Sequence, residues 1–132
     1  MKNKILLVSF LLVLITGVLH IVGSVNHLYW NSFWFDGFVH FMGGVSVGML
    51  SIWFWFQSGF FEISVPSKRE VFFYAVVVAV LMGIGWEIFE LAYGTANPVG
   101  GNYSMDTFHD LVFDFLGGIV VGLIGRIKSL YV

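Results

Sequence analysis

The chain contains no cysteine, which excludes disulfides, thiolate zinc sites, iron–sulfur clusters and cysteine nucleophiles, and leaves the redox compartment unmarked. Charge is scarce as well. Asp, Glu, Lys and Arg make up 11% of the 132 residues, against roughly 25% in soluble domains. No long soluble segment separates the apolar stretches, and nucleic acid is not an expected partner. What fills the chain instead is 58% hydrophobic and 19% aromatic residues, the composition of a membrane protein. At about 20 residues per span across a hydrocarbon core of about 30 Å, there is room for four helices. Residues 1–132 therefore read as a single four-span transmembrane domain, an all-α integral membrane four-helix bundle.

The four apolar stretches cover residues 5–25, 33–56, 71–93 and 108–124. The first follows Lys2 and Lys4 as a signal peptide would. It runs on through Ile21 and Val22 without a small-x-small cleavage site, so it reads as a retained helix. The connection between helices 1 and 2 carries His27, Tyr29 and Trp30, grading into Trp34 and Phe35 as an interfacial aromatic belt. Pro66, Ser67 and Glu70 give a capping-box start to helix 3. The stretch 94–104, with Asn97-Pro98 and Gly100-Gly101, is a turn-rich loop.

All six basic residues, Lys2, Lys4, Lys68, Arg69, Arg126 and Lys128, fall on one side of this four-span arrangement. Cytoplasmic segments beside membrane helices are enriched in Lys and Arg, so the expected topology has both termini cytoplasmic in a multi-pass cell-membrane protein. Its opposite, extracytoplasmic side receives six of the eight acidic residues and the histidines: Asp36 and His40 at the start of helix 2, Glu87 and Glu90 late in helix 3, and Asp106, His109, Asp110 and Asp114 at the start of helix 4. His20 and His27 join them. Asp36 and His40 are four apart, Glu87 and Glu90 three apart, and Asp106, Asp110 and Asp114 form a four-residue ladder, so each helix presents one polar face. Such faces turn away from lipid, because an ionisable group at the centre of a membrane helix costs about 2.5–3.5 kcal/mol on insertion scales.

No Lys or Arg shares that end. Carboxylates gathered in low dielectric without a counter-charge raise one another's pKa. A divalent metal ion would supply the charge: Asp36, His40, Glu87, Glu90, Asp106, His109, Asp110 and Asp114 are the candidate ligands, and zinc, manganese or iron suits carboxylates with neutral imidazoles. Bundles with di-metal carboxylate sites use similar inward i, i+3 pairs. A protonated hydrogen-bond network or a proton relay is the alternative. Simpler readings apply to single residues. His20 reads as a hydrogen-bonded interior histidine, His27 as an interfacial loop residue, Asp36 and Asp106 as possible helix caps, and Glu62 and Glu70 as surface charges. Gly44, Gly48, Gly118 and Gly122 have small-xxx-small spacing and read as packing contacts, or as the face of a homodimer, while Gly43 and Gly117 could leave room for a ligand.

The segments Phe35-Asp36-Gly37-Phe38-Val39-His40-Phe41, Trp86-Glu87-Ile88-Phe89-Glu90 and Asp106-Thr107-Phe108-His109-Asp110 resemble elements of the YjdF-type bacterial inner-membrane proteins. The run from Asp110 to Gly118 also resembles the last helix of VanZ-like proteins. The YjdF-type resemblance implies a multi-spanning membrane protein and no particular chemistry. Three functions remain open. One is a metal-dependent hydrolase or transferase acting on a lipid-linked or envelope precursor, with Glu87 or Glu90 as general base. Another is a carrier or sensor of divalent cations or protons, for which Ser9, Thr16, Ser46 and Ser51 are the polar residues available in the inner half. The third is a structural or accessory membrane protein whose cluster specifies helix packing.

Overall fold

A computed structural model of the chain describes residues 2–61, 66–95 and 101–125. Helices α1 (Lys2–Val25), α3 (Phe33–Phe56), α4 (Lys68–Tyr93) and α5 (Tyr103–Gly125) are each long and apolar enough to cross a membrane, and the short α2 (Leu28–Asn31) lies between the first two. Glu62, Asn97, Pro98, Gly100, Arg126 and Lys128 lie outside the described residues.

Three helices begin earlier than the apolar pattern alone indicates, at Lys2 rather than 5, at Lys68 rather than 71 and at Tyr103 rather than 108. In the last two the caps sit upstream of the apolar runs. At α4 the expected capping box is formed: Glu70 N donates to Ser67 Oγ at 3.2 Å, and Ser67 N to Glu70 Oε2 at 2.7 Å. At α5 the capping side chain is Asn102, whose Oδ1 accepts from Met105 N at 3.2 Å. Asp106 therefore lies within the first turn of the helix rather than at its cap, and the same holds for Asp36, in the first turn of α3 behind Ser32. α4 ends on Gly94 in the left-handed region (φ 66°), the usual helix-stopping conformation.

Three helices form the core, and each uses one ladder of residues four apart. On α4 the buried positions are Val71, Ala75, Ala79, Gly83 and Glu87. On α5 the ladder Asp110, Asp114, Gly118 and Gly122 is buried, and on α3 it runs His40, Gly44, Gly48 and Ile52. The small residues set the helix separation. A Cβ at Gly44 would overlap the backbone carbonyl of Asp114, and one at Gly118 would stand 2.9 Å from Ala79 Cβ and 3.0 Å from Val76 Cα. These glycines pack within the chain, as do Gly48 against Ala75 and Val121 and Gly122 against Phe72. Gly117, read as room for a ligand, is also a packing position, since its Cβ would meet Phe41 O and Val45 N. At one end the core is apolar, built on Ile52, Val71, Ala75 and Val121. At the other end the same ladders bring Asp36, His40, Glu87, Asp110 and Asp114 together.

α1 packs on α3 and hardly touches α4 or α5. A polar link ties it to α3: Thr16 Oγ1 and Ser46 Oγ are 3.1 Å apart, one hydroxyl donating to the other, and each also lies within hydrogen-bond distance of a carbonyl of its own helix.

Candidate metal centre

His40 organises the polar end. Its ring is nearly buried, and Nδ1 is 3.0 Å from Asp114 Oδ2. That contact fixes the ring and leaves Nε2 facing the opposite way, where three carboxylates converge: Asp36 Oδ1 at 3.7 Å, Glu87 Oε1 at 3.8 Å and Asp110 Oδ2 at 4.0 Å. Asp36, His40 and Asp110 each offer a ligand atom within 4.8 Å of the other two, so the trio could hold a metal ion.

The chemistry of the donor set fits a divalent cation. A tetrahedral ion at ordinary N and O bond lengths holds its ligands about 3.4 Å apart, so Asp36 and Asp110 need approach Nε2 by only about 0.3–0.6 Å. A histidine whose second nitrogen is tied to a carboxylate is the usual form of a metal-ligating imidazole. Two further atoms point the same way. Glu87 Oε1 and Asp110 Oδ1 are buried with no hydrogen-bond partner among the described residues, although their residues are only 5% and 2% exposed. Leaving a buried charged acceptor unsatisfied costs about 1–3 kcal/mol or more, a cost that a cation between these oxygens would remove.

Glu87 is held from behind by α5. Thr107 Oγ1 donates to Glu87 Oε2 at 2.6 Å, and Tyr103 OH donates to the Glu87 backbone carbonyl at 3.1 Å and to Oε2 at 3.4 Å. This anchoring turns the free Oε1 toward His40. Gly83 leaves the space for Asp114, since a Cβ there would overlap the Asp114 carboxylate.

The other candidate residues lie around this centre. Glu90 accepts from Trp86 Nε1 at 3.0 Å and, with Asp106 and Asp36, lines a neighbouring polar cavity. His109 stands at the flank, its Nδ1 3.6 Å from Asp110 Oδ1 and its ring against Phe113. His20 is hydrogen-bonded, Nδ1 to Tyr29 OH at 2.9 Å. Burial, with the carboxylates of Asp36, Glu90 and Asp110 behind it, pushes the Tyr29 phenol well above its ordinary value, so it stays protonated. His27 is an exposed residue of the α1–α2 turn, its ring against Trp30.

The predicted set thus divides into Asp36, Glu87 and Asp110 around Nε2, Asp114 behind Nδ1, and Glu90, Asp106 and His109 outside. Thr107 and Tyr103 were not among the sequence candidates. Their signal was available in the spacing, because 103, 107, 110 and 114 share one face of α5.

A family described as predicted membrane proteins (DUF2238) matches residues 2–129. The chain belongs to the DUF2238 family. For this DUF2238 member, no curated protein and no solved structure shows a significant match. Family membership and the four spans make it a multi-pass membrane protein.

Proposed function

We propose that this protein is a metal-dependent hydrolase acting within the membrane on a lipid or envelope precursor, with Asp36, His40 and Asp110 holding a zinc, manganese or iron ion. The observation that carries this reading is the buried His40 ring, tied to Asp114 through Nδ1 and faced through Nε2 by carboxylate oxygens at 3.7–4.0 Å. Three protein ligands with a position left open is the pattern of catalytic rather than structural zinc. A bound divalent ion would lower the pKa of water and polarise a carbonyl.

The chain's own groups do the rest. Glu87, anchored by Thr107 and Tyr103, presents Oε1 as the general base: it accepts the proton of the attacking water and returns it to the leaving oxygen or nitrogen as the acyl bond breaks. Glu90, engaged with Trp86, contributes to substrate binding. The basic residues Lys2, Lys4, Lys68, Arg69, Arg126 and Lys128 favour an extracytoplasmic position for the site and cytoplasmic termini. The YjdF-type and VanZ-like resemblances belong to this reading as finer kinship within the membrane class.

Elemental analysis of detergent-purified protein tests the proposal. Wild type should carry stoichiometric metal, Asp110→Asn should lose it, and Glu87→Gln should keep metal while losing turnover. Metal-free wild type after growth with zinc, manganese and iron supplied would sink the idea. Because the chain lacks cysteine, Thr95→Cys gives a background-free label for sidedness. Reaction with an impermeant maleimide from outside intact cells is expected, and labelling only after lysis would reverse the topology.

A structural role is the second reading, favoured by the way Thr107, Tyr103 and Asp114 tie α4 and α3 to α5. In that case Asp110→Asn fails to fold and wild type contains no metal. The carrier reading has less support, since the hydroxyls of Ser9, Thr16, Ser46 and Ser51 all bond to carbonyls of their own helix.

A further inference from the structure

Two cavities meet at the metal centre, and their linings differ in kind. The first is a groove of about 280 Å³ between α1, α3 and α4, walled by Val13, Gly17, Val39, Val47 and Met82, with His40 and Asp114 at its floor. It opens where α1 and α4 fail to pack together. Thr16 and Ser46, its hydroxyl-bearing residues, are already bonded to each other and to backbone carbonyls. Its occupant is therefore hydrocarbon.

The second cavity, of about 320 Å³, combines Tyr29, Trp30 and Trp86 with Asp36, Glu90 and Asp106. Aromatic faces beside carboxylates, with no Lys or Arg among the described lining residues, recognise cations: ring quadrupoles attract ammonium groups, and quaternary ammonium ligands are bound in such cages. An anionic head group would meet like charge. His20 and Trp86 line both cavities, their rings in edge-to-face contact with centroids 5.2 Å apart, so the two spaces adjoin across this ring pair. Asp36 opens to the polar side and His40 to the apolar side.

We propose that the groove and the aromatic-acidic cavity together bind one amphiphile, its alkyl chain between α1 and α4 and its cationic ammonium head against Trp30, Trp86, Glu90 and Asp106. This deepens the hydrolase reading and rests on it for the cleavage step alone: the junction of head and chain lies against Asp36 and His40, where a bond would be cleaved.

Binding is read without turnover, by native mass spectrometry of the full chain in maltoside micelles. Hexadecyltrimethylammonium and hexadecyl phosphate are the probes, and metal content is measured in the same samples. Wild type should bind the ammonium probe one to one and prefer it at least about tenfold over the phosphate. A Cβ at Gly17 meets nothing within 4 Å, so Gly17→Phe should fill the groove, abolish ammonium binding and leave metal content unchanged. Trp30→Ala acts from the other cavity and should weaken the ammonium probe about tenfold while leaving the phosphate probe unaffected. Equal binding of the two probes would show a groove filled by any hydrocarbon and overturn the proposal. Ammonium binding unaltered by both Gly17→Phe and Trp30→Ala would do the same. Selective ammonium binding by a chain without metal would leave the amphiphile site standing and remove the hydrolase.

Discussion

The two ends of the α3–α4–α5 bundle are built on the same ladders and differ only in what the ladders carry. At one end Gly48, Ile52, Val71, Ala75, Val121 and Gly122 interlock, with glycine positions where a single Cβ would press on a neighbour at 3.4 Å or closer. At the other end Asp36, His40, Glu87, Asp110 and Asp114 occupy the continuing positions, and Glu87 Oε1 and Asp110 Oδ1 have no hydrogen-bond partner among the described residues. The apolar end carries no chemistry, and its glycines pack no more closely than Gly44, Gly83 and Gly117 beside the site. The polar end gathers the ionisable groups, with His40 among its carboxylates. Close glycine packing along the whole length of the ladders thus fixes the separation of helices on which ligand spacing depends, as a site within about 0.5 Å of productive geometry requires.

The strongest way to break the comparison is to disturb the tight packing directly beside the site. Gly44→Ala places a methyl on the backbone of Asp114, where no rotamer change can relieve it. Overpacking of this kind costs about 1–3 kcal/mol and more when the backbone must move, so a loss of about 3 kcal/mol in unfolding free energy is expected in detergent titrations. Metal should be lost with it. If Gly44→Ala bound metal like wild type, the two ends would be independent.

Much of this division was legible from residue spacing. The four spans, the polar faces and the capping box at Ser67 all follow from periodicity and local chemistry, as does the convergence of Asp36, His40, Glu87 and Asp110. What spacing could not assign was direction. Asp114 belongs to the same ladder as Asp110, yet it faces Nδ1 rather than Nε2 of His40 because Gly83 opens space for it there. Glu90 shares α4 with Glu87 but is turned away by Trp86. These distinctions depend on contacts between helices, and one helix's pattern does not contain them. Asn102 escapes a periodicity reading for a different reason: it caps α5 well before the apolar run begins.

A gentler change separates orientation from ligation. In Asp114→Asn the side chain keeps its volume and can still accept from Nδ1, but it no longer carries the charge that raises the basicity of the imidazole. Losing such a supporting carboxylate typically weakens metal affinity 10–100-fold, and a value near the lower end, about tenfold, is expected from competition with a metal-binding dye. Thermal unfolding of the metal-free protein should be almost unchanged. Affinity equal to wild type would mean that Asp114 serves packing alone.

The smallest expected effect concerns the two hydroxyls that hold Glu87. Thr107→Val removes the donor at 2.6 Å while keeping the shape of the side chain, and Tyr103→Phe removes donors at 3.1 and 3.4 Å. A hydrogen bond to a charged group contributes about 1.5–3 kcal/mol, so Thr107→Val should destabilise by about 1.5 kcal/mol. The weaker Tyr103 contacts should give about 0.5–1 kcal/mol, as for ordinary hydrogen bonds. If Glu87 acts as a base rather than as a ligand, neither variant alters metal affinity, and Thr107→Val slows turnover by letting Oε1 wander from the position facing His40. A loss of metal in Thr107→Val equal to that in Asp110→Asn would instead make Glu87 the fourth ligand, closing the open position on which catalysis depends.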